Sequence, residues 1–316
     1  MNKSFVFVGQ GSQVVGMAKD FYENFDVAKN VFKEVDQALN KNLSKIIFEG
    51  DEALLTQTEN AQPAIMCASI AMLKVLESES GLSIDKLCKN VAGHSLGEYT
   101  ALCAAGAISL SDTAKLLKVR GESFGKAATQ SKGGMVAFLG VNIPQIEEVV
   151  NKAKQPGEIC KIANDNATGQ VVISGHEKSI DKAIEVAQEM GIKKIVKLQT
   201  SGAFHTDLMS PAVKPMKEAL NGVNILKPIV PLISNVSVEA TDNPEKIKEN
   251  LIKQITNEVR WRETIFFFEN NGIEEVVQFG PGKALAVATA RTTTKDMKNF
   301  EINSVDTMKE YLLNIK

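Results

Sequence analysis

The stretch VAGHSLGEYTAL, residues 91–102, sets a serine between two glycines with a histidine directly before it. Asn90-Val-Ala-Gly93 is a short apolar run that reads as a strand, and residues 98–107, rich in alanine and leucine, read as a buried helix. Gly93-His-Ser-Leu-Gly97 then falls at a strand-to-helix turn, the context a nucleophile elbow requires. A turn of that kind holds its serine in a strained conformation, and the flanking glycines let neighbouring backbone come close. The free N–H groups and dipole of the following helix favour negative charge beside the hydroxyl. Ser95 is the candidate nucleophile. The plain alternative is an ordinary turn serine, because the five-letter pattern also arises by chance.

Outward from the elbow, Phe5-Val-Phe-Val8 runs into Gly9-Gln-Gly11 as a buried strand entering a loop. Helical spacing covers residues 21–39, 63–76 and 111–125, the last with a serine and an aspartate at its start as a cap. From Gly133-Gly134 the texture changes. A strand at 135–139, a helix at 143–154, strands at 160–163 and 170–174, a helix at 178–190 and a strand at 193–198 make the β-α-β-β-α-β order of a ferredoxin-like unit. Strands at 230–235 and 274–279 follow, with helices between and after them, which implies a mainly parallel sheet. The expected fold class is α/β. A large hydrolase-like domain (1–130 and 200–316) with a mainly parallel sheet carries an inserted, small ferredoxin-like α+β subdomain (131–199).

Composition narrows the function classes. The chain has 316 residues, 44% of them hydrophobic, and a formal net charge of −2. That near-balance argues against nucleic acid as the main partner, whose usual footprint is a basic stripe. A chain of this length buries about 75% of its unfolded surface, so neither a metal nor a disulfide staple is called for. Cys67, Cys88, Cys103 and Cys160 form no CxxC pair and read as small buried hydrophobes in a reducing compartment. The start of the chain has four consecutive apolar residues, too few for a signal peptide, and no apolar run approaches the ~18 that span a membrane. A cytoplasmic location without membrane association is expected.

A nucleophilic serine needs a base, most often histidine. Three occur. His94 adjoins the serine and should point its ring away from the hydroxyl, and His176 resembles a turn residue inside the insert. His205 ends the small-residue loop Thr200-Ser-Gly-Ala-Phe-His205 and follows the serine in the chain, as in hydrolase-type sheets. It is the choice by elimination, against the alternative of a satisfied loop histidine. No triad acid stands out: Asp207 lies two residues beyond His205 but fits a helix cap, and a backbone carbonyl can orient a base equally well. Gly9-Gln-Gly-Ser-Gln13 lacks the third glycine of a dinucleotide fingerprint, and Gly280-Pro-Gly-Lys-Ala284 is no Walker loop. The first loop suits an oxyanion hole better, aiming a backbone N–H beside that of Leu96. Only four arginines stand among 36 basic residues. Arg120, in an otherwise apolar helix, reads either as a rigid fork for an anion or as an exposed, snorkelling side chain.

FVFVGQGSQ, GHSLGEYTAL, the VRG segment at 119–121, GAFH, ISNV and QFGPGKAL occur in this order along nearly the whole chain. Together they resemble the malonyl-CoA:acyl carrier protein transacylase family. The resemblance implies Ser95 as the acylated nucleophile, His205 as its base, and the main-chain carbonyl of Gln254 as the group orienting that base. Backbone N–H groups of Gln10 and Leu96 would form the oxyanion hole. Arg120 would hold the malonyl carboxylate, and Phe204 would crowd an α-methyl group. Asn166, Asn235 and Gly11 would line the substrate site. It further implies malonyl transfer from malonyl-CoA to the phosphopantetheine thiol of acyl carrier protein, with no cofactor and no metal, by a chain expected to be monomeric and to supply fatty acid synthesis. The rivals are a serine esterase or thioesterase, an acyltransferase serving a polyketide carrier, and a non-catalytic module that docks carrier protein.

Overall fold

The structure, a computed structural model, describes residues 2–200 and 202–315. Ser201, in the loop before His205, lies outside the described residues. Eleven strands occur among them: β1 (Lys3–Phe7), β2 (Asn90–Gly93), β3 (Gly133–Leu139), β4 (Cys160–Ala167), β5 (Gln170–His176), β6 (Lys194–Lys197), β7 (Leu232–Ile233), β8 (Ala240–Thr241), β9 (Val259–Arg260), β10 (Glu275–Phe279) and β11 (Lys298–Ile302). The larger sheet has the order β11-β10-β1-β2-β7-β8. All its neighbours are parallel except β7 and β8. Phe5, Val6 and Phe7 are wholly buried because β1 lies between two parallel strands with helices on both faces, which is why its sequence is continuously apolar. After β1 the chain builds β2 on one side, and β10 returns on the other. Loops at the carboxyl ends of β1 and β2 therefore open beside a switch in strand order, where α/β sheets place ligands.

The smaller sheet has the order β6-β3-β5-β4-β9. Along β3 the side chains alternate: Val136 and Phe138 pack into a small core under the Ile143–Ala153 and Glu177–Glu189 helices, while Met135 and Ala137 join the main core. The period of two thus splits one strand between two cores. The ferredoxin-like sheet is not closed by its own segment. β9, far beyond residue 199, adds to β4 in parallel, and Arg262 just after it forms an ion pair with Asp165 at 2.8 Å.

Several local expectations differ from the structure. The 21–39 helix is two, Lys19–Asn24 and Asp26–Leu39, because Phe25 is extended. The helix bearing Arg120 spans Leu110–Ser131 and is capped by Ser109, whose hydroxyl accepts from the Asp112 N–H. The strand expected at 230–235 shrinks to the two residues of β7. No helix among the described residues is long and apolar enough to cross a membrane.

Candidate active site

Ser95 follows β2 directly and has φ +54°, a left-handed conformation that costs a non-glycine residue about 1–3 kcal/mol. The glycines make the turn possible. A β-carbon on Gly97 would lie 2.3 Å from the Phe7 carbonyl oxygen, and one on Gly93 would lie 1.9 Å from that of Gly97. The Gly97–Ala104 helix starts immediately, and Leu96 is its N-cap residue. Asn235, at the end of the segment after β7, ties the turn down. Its Oδ1 accepts from the Ser95 N–H at 2.8 Å and its Nδ2 donates to the Gly93 carbonyl at 2.8 Å. Asn235 is wholly buried, so it supports the elbow and does not line the substrate cavity, contrary to the expectation from resemblance.

His205 Nε2 lies 2.9 Å from Ser95 Oγ, and His205 Nδ1 lies 2.9 Å from the main-chain oxygen of Gln254. A carbonyl only accepts, so Nδ1 carries the proton and Nε2 turns its lone pair to the serine. The geometry is that of a serine–base pair with a main-chain orienter. Burial, and then the positive charge of Arg120, push His205 down to about 3, so the imidazole is neutral near pH 7 and free to accept a proton. His94 turns away, with Nε2 2.8 Å from Asn166 Oδ1. His176 serves the insert, where Nδ1 accepts from the Ile159 N–H at 2.8 Å. Asp207 is exposed and pairs with Lys161 at 2.5 Å, playing no part in orienting the base.

Arg120 is only 1% exposed, which excludes the snorkelling alternative. Nη2 donates to Ser95 Oγ and to Gln254 Oε1, each at 2.9 Å, and Nη1 donates to Gln62 Oε1 at 2.9 Å. Nε has no hydrogen-bond partner among the described residues, and the guanidinium stacks over Phe124 with its carbon 4.2 Å from the ring centre. A buried cation held only by neutral acceptors retains its charge for an anion that arrives later. Glu98 is also wholly buried. It accepts from the Asn235 N–H at 2.8 Å and from Gln254 Nε2, and burial pushes its carboxyl up to about 7.

Ser95, His205 and Arg120 open into one cavity of about 630 Å³, lined also by Gln10, Gly11, His94, Asn166 and Phe204. Phe204 packs on Phe124, ring centres 5.2 Å apart, and both rings line the cavity. Asn166 arrives from β4, and Met135 and Val172 from the small sheet complete the wall. The backbone N–H groups of Gln10 and Leu96 have no protein acceptor among the described residues, as donors awaiting an oxyanion must. Gln62, Phe124, Glu98 and the side chain of Gln254 escaped the sequence reading. A lone charged residue within a short buried helix was the available signal for Glu98; Gln62, beside Glu59 and Asn60, gave none. No three His, Cys, Asp or Glu side chains gather as metal ligands among the described residues.

The model of the acyl transferase domain family matches residues 4–310. A malonyl CoA-acyl carrier protein transacylase of Bacillus subtilis is 40% identical over 313 residues, which span 99% of this chain and 97% of that one. The crystal structure of an acyl-carrier-protein-S-malonyltransferase from Bartonella henselae superposes with a TM-score of 0.95 at 46% identity, covering 100% of this chain and 99% of that one. A malonyl-transacylase solved in complex with its type II PKS acyl-carrier protein superposes with a TM-score of 0.94 at 31% identity, covering 99% and 100% of the two chains. With the family model matching residues 4–310 and relatives alike over nearly the whole length, the chain belongs to the acyl transferase domain family, among the malonyl CoA-acyl carrier protein transacylases.

Proposed function

We propose that this protein transfers a malonyl group from malonyl-CoA to the phosphopantetheine thiol of acyl carrier protein through a malonyl-Ser95 ester. The observation that carries the reading is the buried Arg120 guanidinium one hydrogen bond, 2.9 Å, from the nucleophilic oxygen. An acyl group esterified there has its far end within reach of a cation, so an acyl group ending in a carboxylate is favoured. In the first half-reaction His205 Nε2 takes the Ser95 proton as Oγ attacks the thioester carbon. The carbonyl oxygen becomes an oxyanion facing the N–H groups of Gln10 and Leu96, and losing one such donor typically costs about 10²–10³ in rate. Collapse expels the CoA thiolate, which takes the proton back from His205. In the second half-reaction His205 deprotonates the carrier's thiol, that sulfur attacks the ester, and Ser95 is regenerated.

No cofactor enters this scheme, since acyl exchange between thiol and hydroxyl involves neither redox change nor an electron sink. A monomer working in the cytoplasm and supplying fatty acid synthesis completes the reading. The type II PKS carrier bound to a 31% identical relative supports a second pathway, malonyl supply to a polyketide carrier, by the same chemistry. A hydrolase of esterase type is disfavoured because a buried arginine stands beside Ser95, placed to hold an anionic acyl group. The test loads the protein with malonyl-CoA, removes free CoA, and adds carrier protein with or without its phosphopantetheine arm. Transfer only to the armed carrier supports the proposal. Release of free malonate at the same rate with either carrier overturns it in favour of a hydrolase.

A further inference from the structure

We propose that Glu98 is the positioning residue that fixes which end of the Gln254 side-chain amide faces Arg120, and so sets the preference of the site for acyl groups ending in a carboxylate. This rests on the reading of Arg120 given above. Glu98 touches no substrate atom and lies outside the residues that line the cavity. It sits in the first turn of the Gly97–Ala104 helix, three residues past the nucleophile, and acts through its neighbours.

The Gln254 amide lies between two unlike environments. At its nitrogen end stand only acceptors: Glu98 Oε2, the Ser95 carbonyl at 2.9 Å and Asn235 Oδ1 at 3.4 Å. Its oxygen end meets the Arg120 donor Nη2 at 2.9 Å. Which end of an amide is oxygen follows from such partners, and reversal here would set oxygen against acceptors and NH₂ against a guanidinium. Ionised, Glu98 is the strongest of the acceptors, and its own orientation is pinned. Its Oε1 takes the Asn235 backbone N–H at 2.8 Å, a donor that cannot become anything else.

Glu98→Gln therefore disturbs this arrangement in a definite direction. The new side chain must keep an oxygen toward the Asn235 N–H, which turns its own NH₂ toward Gln254 Nε2. Two donors then face each other, and the Gln254 amide must turn or move aside, which takes its oxygen away from Arg120 Nη2. Arg120 loses an acceptor, and the guanidinium is no longer held in place beside Ser95 Oγ. The His205 orienter is the main-chain oxygen of the same residue, which a side-chain flip leaves in place. Chemistry on an acyl group without a carboxylate should be largely spared.

The experiment measures Ser95 acylation by malonyl-CoA and by acetyl-CoA, as separate kcat and KM values, in the native protein and in Glu98→Gln, with a thermal melt of each. The expected result is a fall in the malonyl-to-acetyl ratio of kcat/KM by about tenfold to hundredfold, the worth of a charge-assisted hydrogen bond, with KM for malonyl-CoA carrying most of it. If Glu98→Gln does not fold, Glu98→Asp decides, since it keeps a carboxyl group but withdraws it from Gln254, and the ratio must fall there too. A native protein that prefers malonyl and a folded variant with the same ratio overturn the proposal alone, since equal losses on both acyl groups mark a merely structural role. A native protein with no preference for malonyl overturns the reading of Arg120 and this proposal with it.

Discussion

The two sheets divide the work unequally. The parallel sheet delivers the reacting groups: β1 leads into the Gln10 loop, β2 into Ser95, and the segment after β7 into Asn235. The small sheet delivers a wall, Met135, Val172 and Asn166, and no group that reaches the nucleophilic oxygen. The difference follows from geometry. Strands that all point one way gather their carboxyl-end loops at one edge, where several backbones meet with free N–H groups and a helix start. An antiparallel sheet scatters its loops between two ends and offers instead one continuous face, suited to shaping a pocket.

Substitutions at the two walls should separate most sharply. Ser95→Ala or His205→Ala is expected to lower acylation by about 10⁴–10⁶, as losing either member of such a pair does, whereas Asn166→Ala should stay within about tenfold. Stopped-flow release of CoA measures both, and a comparable loss at Asn166 would break the comparison. Next in size is selectivity. Arg120→Met should lower the malonyl-to-acetyl ratio by about 10² or more, because the site then no longer holds a buried cation that an acetyl group leaves unpaired. An unchanged ratio would remove the arginine from substrate recognition.

Stability sharpens the same contrast. Gly97→Ala must push the Phe7 carbonyl aside and should cost about 3 kcal/mol or more, while Gly134→Ala in β3, where an added β-carbon meets nothing within 4 Å, should cost less than about 1 kcal/mol. Urea unfolding of both variants measures it. The smallest effect is on pH. A general base works only when unprotonated, so activity rises as pH climbs through its pKa. Burial, then Arg120, hold His205 down to about 3, so the acid limb of kcat/KM should lie well below the ordinary histidine value of 6.5. Arg120→Met should move that limb upward. A native limb at or above 6.5 would mean that the imidazole is not held neutral by its surroundings.

Much of this was legible because its causes are local. Gly93 and Gly97 announce the elbow since no other residue fits there, FVFV announces a strand buried on both faces, and the β-α-β-β-α-β order survives almost intact. The unreadable parts depend on distant partners. β8, β9 and β11 are too short, or too charged at a sheet edge, to carry a period, and exist because a neighbour is there to pair with. Asn235 and the side chain of Gln254 act on residues about 140 and 159 positions earlier, and nothing nearby marks them. Asn235 was accordingly expected in the cavity, where in fact it is the brace behind it. Glu98 left a faint trace, as the one charged residue in a short buried helix, and such a residue is worth treating as a site member; Gln62, beside Glu59 and Asn60, left none.

The central claim is that Ser95, activated by His205, holds a malonyl group as an ester. Intact-mass analysis after brief mixing with malonyl-CoA, followed by peptide mapping, tests it most directly. The account predicts one malonyl group per chain, located on Ser95 and absent from Ser95→Ala. An unmodified chain that has nonetheless released CoA, or a malonyl group on any other residue, would contradict it.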